Sequence, residues 1–265
     1  MTNITITSWN INSLKARRTH VDNYLLDPAP DVLMVQELKG LDFPHEEFTA
    51  QNYHTAAVPQ KAYNGVAVFS KKPIKTILES LPGDETDEQA RYIEFETSGL
   101  RLINVYCPNG NPTGTEKYTY KLAWMKRLKA RLKELLDSNI PFIIGGDFNV
   151  IPEAKDCYDP TVWKGDALFR LETRKAYREI LNLGLTEAFR TFNNAPEQYT
   201  FWDYQAGAWP KNNGIRIDHF LLSPHMADRL KNCTIDTKPR ALEKPSDHTP
   251  ITLSLIHISE PTRPY

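Results

Sequence analysis

The stretch Pro141-Phe-Ile-Ile-Gly-Gly-Asp147-Phe-Asn149 runs an apolar segment into two glycines and then sets a carboxylate and a carboxamide two residues apart. Phe142, Ile143 and Ile144 predict a buried strand, and the glycines a tight turn open to close approach of a ligand. Residues i and i+2 at a strand end point the same way, so Asp147 and Asn149 face one site. An ionised acid beside an amide suits a cation and a phosphate oxygen together. Taken alone, the segment reads equally well as an Asx turn closing a strand.

The same pattern recurs on either side of it. Residues 3–9 alternate Ile4 and Ile6 with threonines, a half-buried strand that runs into Asn10, and Leu14, Val21 and Leu25 then mark one face of a helix. Residues 31–35 form an apolar strand ending in Gln36-Glu37, and 65–70 another, stopped by Lys71-Lys72-Pro73. Residues 92–96 and 100–106 predict a hairpin around Ser98-Gly99, its second strand entering Pro108-Asn109-Gly110. Helical spacing at Tyr118, Leu122, Met125, Leu128, Leu132 and Leu135 predicts a long helix over 116–137, and a shorter one covers 172–182 before Gly184. Strands at 199–202, 216–222 and 249–253 complete the chain. Strand and helix do not alternate regularly, so the expected fold is α/β with two mixed sheets packed together and helices outside. The segments at 31–37 and 141–149 echo one another as apolar strands ending in acids, as two similar halves meeting at one cleft would.

Composition narrows the class. With 265 residues, 40% hydrophobic and 25% charged, the chain is an ordinary globular protein rather than a disordered or membrane one. No basic-then-apolar leader is visible, so a cytoplasmic location away from membranes is expected. Cys107, Cys157 and Cys233 are widely spaced and lack metal-ligand spacing, which fits free thiols in a reducing compartment. A net charge of -1 argues against a broadly basic nucleic-acid coat but permits local patches such as 15–18 and 126–133. Residues 253–263 resemble the translated read-through of a transposon-type sequencing adapter. A single catalytic domain over 1–253 and a non-native tail over 254–265 are therefore expected, with His257 set aside from the site.

Polar residues at strand ends, Asn10, Glu37, Tyr106, Asp147, Asn149, Asp218 and the pair Asp247-His248, come from separate places that the edge of a stacked-sheet fold can bring together. Glu37 alone reads as a solvated acid; with Asp147 it makes a hard-cation site, for Mg2+ or Mn2+ rather than zinc. Asp218, buried within a strand, needs a partner, and His248 is the candidate: the carboxylate would fix its tautomer and favour its cation. His219 is the rival, ranked lower because its side chain faces away from Asp218. His248 also reads as a capped turn histidine. Arg91, following Asp84, Glu85, Asp87 and Glu88, reads as a surface ion-pair member or a DNA contact. The aromatics around Phe201 and Trp202 read as core, whereas Trp209, beside a polar loop, suggests contact with a base or sugar.

Trp9-Asn10-Ile-Asn12, Gln36-Glu37, Tyr106-Cys-Pro-Asn-Gly110, Gly146-Asp147-Phe-Asn149, Arg216-Ile-Asp218 and Pro245-Ser-Asp247-His248-Thr-Pro250, in that order, resemble the signature set of the exonuclease III family of abasic-site endonucleases. That family belongs to the endonuclease/exonuclease/phosphatase superfamily, and the resemblance implies a four-layer sandwich of two mixed β-sheets flanked by helices. It implies Glu37 as principal magnesium ligand with Asn10 nearby, and Asp147 orienting or deprotonating the attacking water. Asn149, Tyr106 and His248 would hold the phosphate, and Asp218 would orient His248. Asp147, Asn149, Asp247 and His248 are possible ligands of a second metal. Phe201, Trp202, Ile215 and Ile217 match the family's pocket for a base-free sugar turned out of the duplex. The implied activity is double-strand 3′-to-5′ exonuclease and abasic-site incision by a monomer on duplex DNA with abasic sites or 3′ ends. Alternatives are the same chemistry on RNA, a phospholipid or an inositol phosphate, or a non-catalytic DNA-binding module.

Overall fold

The computed structural model describes residues 3–256. In chain order the first part gives β1 (Asn3–Asn10), α1 (Arg18–Leu26), β2 (Val32–Gln36), α2 (His45–Ala50), β3 (His54–Val58), β4 (Val66–Ser70), β5 (Lys75–Leu78), β6 (Tyr92–Thr97) and β7 (Leu100–Tyr106). The second gives α3 (Glu116–Asp137), β8 (Phe142–Asp147), α4 (Pro160–Trp163), α5 (Leu171–Leu181), β9 (Thr186–Glu187), α6 (Ala188–Phe192), β10 (Asp218–Leu222), α7 (Pro224–Ala227), β11 (Leu230–Ile235) and β12 (Ile251–Ile256).

The strands form two six-stranded sheets, ordered β11-β12-β1-β2-β4-β3 and β5-β6-β7-β8-β10-β9. Each sheet shows one succession of pairings: antiparallel, antiparallel, one central parallel pair, then antiparallel twice. The echo between 31–37 and 141–149 is therefore architectural: β2 and β8 hold the same place in their sheets, and Glu37 and Asp147 lie at corresponding ends.

Two-residue alternation sorts the side chains into layers. Ile4, Ile6, Val32, Met34, Leu100, Leu102, Ile143, Phe220 and Leu222 fill the space between the sheets. The alternate residues Leu33, Val35, Ala67 and Phe69 pack with Val21, Leu25 and Phe48 of α1 and α2. On the other sheet Ile103, Val105, Phe142 and Ile144 pack with Trp124, Leu128 and Leu132 of α3 and Tyr177 and Ile180 of α5. The result is the expected sandwich of helix, sheet, sheet and helix. Followed along the strands, the inter-sheet layer turns from apolar to polar at one end: Ile6 gives way to Ser8 and Asn10, Met34 to Gln36, Leu102 to Asn104 and Tyr106, and Phe220 to Asp218. That polar end is where the site lies.

Several sequence expectations shift. The two glycines of β8 do not make a turn for a ligand; they remain in the strand because neighbours crowd it. A Cβ on Gly145 would overlap the Phe220 ring and lie 2.8 Å from Met34 Cε, and one on Gly146 would overlap the Val105 carbonyl. Gly145→Ala is expected to cost about 1–3 kcal/mol through overpacking, which thermal unfolding would report as a lower Tm; an unchanged Tm would show that the ring can move aside. The strand expected at 199–202 reduces to single bridges from Phe201 to Ile215 and His248, because that segment pairs with loops rather than with a sheet. The last strand, expected over 249–253, is β12 and runs to Ile256, with Leu255 buried opposite Ile4. The rest of the suspected tail, 257–265, lies outside the described residues. Among the described residues no helix is long and apolar enough to cross a membrane.

Candidate active site

Glu37, Tyr106, Asp147, Asn149, Phe201, Ile217, Asp247 and His248 all line one cleft of about 320 Å³. Glu37 follows β2 and, by simple alternation, would face the helix side. Its backbone instead adopts φ +61°, a left-handed conformation that a non-glycine residue takes at a cost. That kink brings the carboxylate to the inter-sheet side, where Oε1 accepts from Tyr106 Oη at 2.9 Å and from Asn10 Nδ2 at 2.9 Å. Asn10 Nδ2 also donates to Asp147 Oδ2 at 3.0 Å, so one amide joins the carboxylates of the two sheets. The Asn10 oxygen accepts from the Asn12 N–H at 3.0 Å, and its NH2 is the group that faces the two carboxylates.

Asp147 ends β8 and is 1% exposed. Its Oδ1 accepts from the Asn149 N–H at 2.9 Å, and Oδ2 lies 3.7 Å from His248 Nε2. Asp218, its register partner on β10, holds His248 Nδ1 at 2.9 Å, the pairing expected from the cost of burying Asp218. His219 faces the other way, with Nε2 on the Val150 carbonyl and Nδ1 on Arg216. Asn149, at φ +49°, turns its amide to the Cys107 carbonyl at 2.9 Å and accepts from Asn109 Nδ2 at 3.2 Å.

Charge in this space is settled by burial and near neighbours. Burial pushes the Asp147 carboxyl up, to about 7, although the His248 cation opposes it. Burial alone would lower the His248 pKa, but the carboxylates of Asp218 and Asp147 outweigh it and hold the ring as a cation, up to about 10. Burial would raise Glu37, yet Lys39, whose Nζ lies 2.6 Å from Oε2, brings it below its ordinary value.

Five acids line the cleft, Glu37, Asp147, Asp166, Asp203 and Asp247, and among the described residues no lysine or arginine does. Within the cluster the His248 cation and the Lys39 ammonium offset part of that charge, and a bound cation would offset more. Ligand atoms of Glu37, Asp147 and His248 lie within 4.8 Å of one another. The two carboxylates, in a place where an ammonium already sits against Glu37, fit a divalent cation; His248 would join them as a ligand only in its neutral form.

The other expected contacts divide. Phe201 packs on His248 with ring centroids 5.0 Å apart, and with Ile217, Leu168 and Trp163 it forms the apolar wall. Ile215 lies behind that wall, fully buried. Trp202 turns into a separate cluster with Tyr199, Ala208 and Trp209, its indole on Asn212 Oδ1 at 3.1 Å. Trp209 is half-buried edge-on to Trp202 at 4.8 Å rather than standing clear of its loop. Arg91 stacks over Tyr106 at 4.7 Å, while Asp84 and Asp87 pair with Arg127. Asp247 accepts from Asn12 Nδ2 at 3.0 Å. Lys39, Asn111, Trp163, Asp166, Leu168 and Asp203 escaped the sequence reading. Lys39 stands two residues after Glu37, but only the kink at Glu37 makes that spacing a contact.

The endonuclease/exonuclease/phosphatase family model matches residues 7–248. The chain belongs to that family. Among family relatives, exodeoxyribonuclease III of Haemophilus influenzae is 34% identical over 258 residues, covering 92% of this chain and 97% of its own. The 3′-5′ exonuclease NExo from Neisseria meningitidis superimposes with a TM-score of 0.92 at 38% identity, over 95% of this chain and 99% of that one. A complex of 3′ phosphatase NExo from Neisseria with a product DNA hairpin superimposes at 0.90, with 37% identity over 96% of this chain and 100% of that one. An AP endonuclease from Archaeoglobus fulgidus gives 0.88 and 35% identity, over 94% and 98%. The fold shared with these family members is the sandwich described above.

Proposed function

We propose that this chain is a magnesium-dependent phosphodiesterase of duplex DNA, with abasic-site incision and 3′-to-5′ removal of nucleotides. The observation that carries the proposal is the meeting of Glu37 and Asp147, one from each sheet, beside a histidine held as its cation. The DNA-bound relative and the abasic-site and 3′-end nucleases among the relatives support DNA as the substrate.

In this reading Glu37 is the principal ligand of the cation, with Asp147 and His248 near it and Asn149 and Asp247 available to a second ion. When bound, the cation supplies positive charge for the phosphate oxygens and the leaving oxygen. Asp147 orients a water in line with phosphorus and takes its proton as the new P–O bond forms and the bond to the 3′ oxygen breaks. His248, positioned through Nδ1 by Asp218, directs Nε2–H at the oxyanion, and Tyr106 fixes Glu37. Phe201, Ile217, Leu168 and Trp163 offer an apolar wall to a base-free sugar, while Arg91, Trp202, Trp209 and Ile215 support or flank the DNA path.

Incubation with a duplex carrying one abasic analogue, with and without magnesium, tests this reading. Incision at the lesion and loss of 3′-terminal nucleotides are expected only with the ion; neither product under any divalent cation rejects it. Competition by duplex DNA against an RNA, inositol phosphate or phospholipid substrate separates the same chemistry on another phosphodiester. A non-catalytic module would have no reason to hold Glu37, Asp147, Asp218 and His248 in one contact set.

The pH profile follows from the charges. Asp147 must be ionised to accept a proton, so activity should rise as pH climbs through its raised pKa, a limb that a bound cation moves to lower pH. His248 must stay protonated, so activity should fall at alkaline pH, near 10. Asp218→Asn removes the leading charge that raises His248 and is expected to bring the alkaline limb down toward neutrality. An alkaline limb unmoved by Asp218→Asn would take the pair out of the mechanism.

A further inference from the structure

One strand pleat beneath the cleft lies a second polar layer. Ser8 precedes Asn10 by two residues and Asn104 precedes Tyr106 by two, which sets them about 6–7 Å below the groups that face the cleft. Gln36, the register partner of Asn10 and the residue before Glu37, reaches down to both. All three side chains are fully buried. Gln36 Nε2, from one sheet, donates to Asn104 Oδ1 on the other at 2.7 Å and to Ser8 Oγ at 3.1 Å. Asn104 Nδ2 returns across the gap to the carbonyls of Val35 and Ala67, each at 3.0 Å, and so reaches the two neighbouring strands β2 and β4. Gln36 Oε1 is buried and has no hydrogen-bond partner among the described residues.

A fully buried amide pair with one unmet acceptor is a costly way to fill the space between two apolar sheet faces. Ile6, Met34 and Leu102 fill it one pleat further down, where no direction is imposed. Hydrogen bonds differ from apolar contact in fixing register and separation. The cation cluster is the place that needs this, because its two carboxylates belong to different sheets and are bridged by the Asn10 amide, with Tyr106 of the second sheet donating to Glu37.

We propose that Gln36 and Asn104 are positioning residues: their inter-sheet hydrogen bonds fix the spacing of Glu37 and Asp147 and thereby set the affinity of the site for its divalent cation. The proposal rests on the functional reading above and adds residues that touch neither cation nor DNA.

The test replaces both amides by apolar side chains of similar size, Gln36→Met with Asn104→Val, so that neither amide is left facing an apolar partner. The swap removes the unmet Gln36 oxygen but also a donor from Ser8 Oγ and from the Val35 and Ala67 carbonyls, so Tm is expected near wild type. Titration of the metal-free protein with Mn2+, followed by electron paramagnetic resonance, is expected to show affinity weakened about 10- to 100-fold, as for other residues that orient metal ligands. The kcat should fall by a similar factor while KM for duplex DNA holds. A folded double variant that binds Mn2+ and turns over like wild type overturns the proposal. Should the double variant not fold, Asn104→Ala, assayed below its own Tm, decides in the same way: weaker Mn2+ binding supports the proposal and wild-type binding overturns it. Wild-type protein that binds no Mn2+ and cuts no DNA brings down the functional reading, and this proposal with it; wild-type binding matched by the variant removes this proposal alone.

Discussion

Asp147→Asn is expected to lower kcat about 1,000- to 10,000-fold, the upper range for losing a positioned general base. The environment leaves little room for the amide. Oδ1 faces the Asn149 N–H, and Oδ2 faces Asn10 Nδ2, Asn149 Nδ2 and, at 3.7 Å, His248 Nε2. Whichever way an asparagine turned, its NH2 would meet donors, so the side chain would lose its geometry as well as its basicity. Single-turnover cleavage of an abasic duplex at saturating enzyme isolates the chemical step from DNA binding. A variant within tenfold of wild type in that assay would show that some other group takes the proton.

Glu37→Gln should act on the cation first. The substitution keeps the size of the side chain and one acceptor for Tyr106 and Asn10, and it bears the left-handed backbone no worse than glutamate does. It removes the charge that holds Lys39 at 2.6 Å and that would hold a divalent ion. Loss of a direct ligand should weaken Mn2+ binding by about 100-fold or more, since changes one shell further out already cost up to that much. Cleavage should then recover in part at high metal concentration, as it should not for Asp147→Asn. Calorimetric titration giving wild-type affinity would move the cation away from Glu37 and require a different assignment of the cluster.

The two variants separate roles that static geometry joins. Both carboxylates share the Asn10 amide, but burial raises Asp147 toward a basic poise while Lys39 and the hydrogen bonds keep Glu37 low. Two acids whose surroundings push them in opposite directions are suited to different tasks, one to hold positive charge and one to move a proton.

Much of this arrangement was legible from residue order. Alternation in 3–9 and the apolar runs at 31–35, 100–106 and 142–144 located the strands, and the polar residue ending each run marked the site. The cost of burying Asp218 was enough to pick His248 over His219, because alternation turns the two neighbours of a strand to opposite faces. The long helix matched Glu116–Asp137 because its 3.6-residue spacing continues over six turns without a break. The aromatic segment was less readable. Phe201 reaches the cleft and Trp202 turns away from it, yet in sequence both are aromatics beside a polar loop; their division depends on the bridges of Phe201 to Ile215 and His248.

Sequence alone determined where the strands run and that they end in polar residues, but 32–35 and 142–144 are apolar throughout, so which of their two faces meets the other sheet was not readable from them. Tertiary structure decided that the polar ends of both sheets lie together, that Glu37 leaves the alternation through φ +61° to join them, and that Lys39 follows it. The reason is physical. Alternation of facing is set by local geometry repeated along each strand, whereas the stacking of one sheet on another and the tolerance of a strained backbone depend on contacts between residues far apart in sequence, such as Trp9 with His248, 239 positions on.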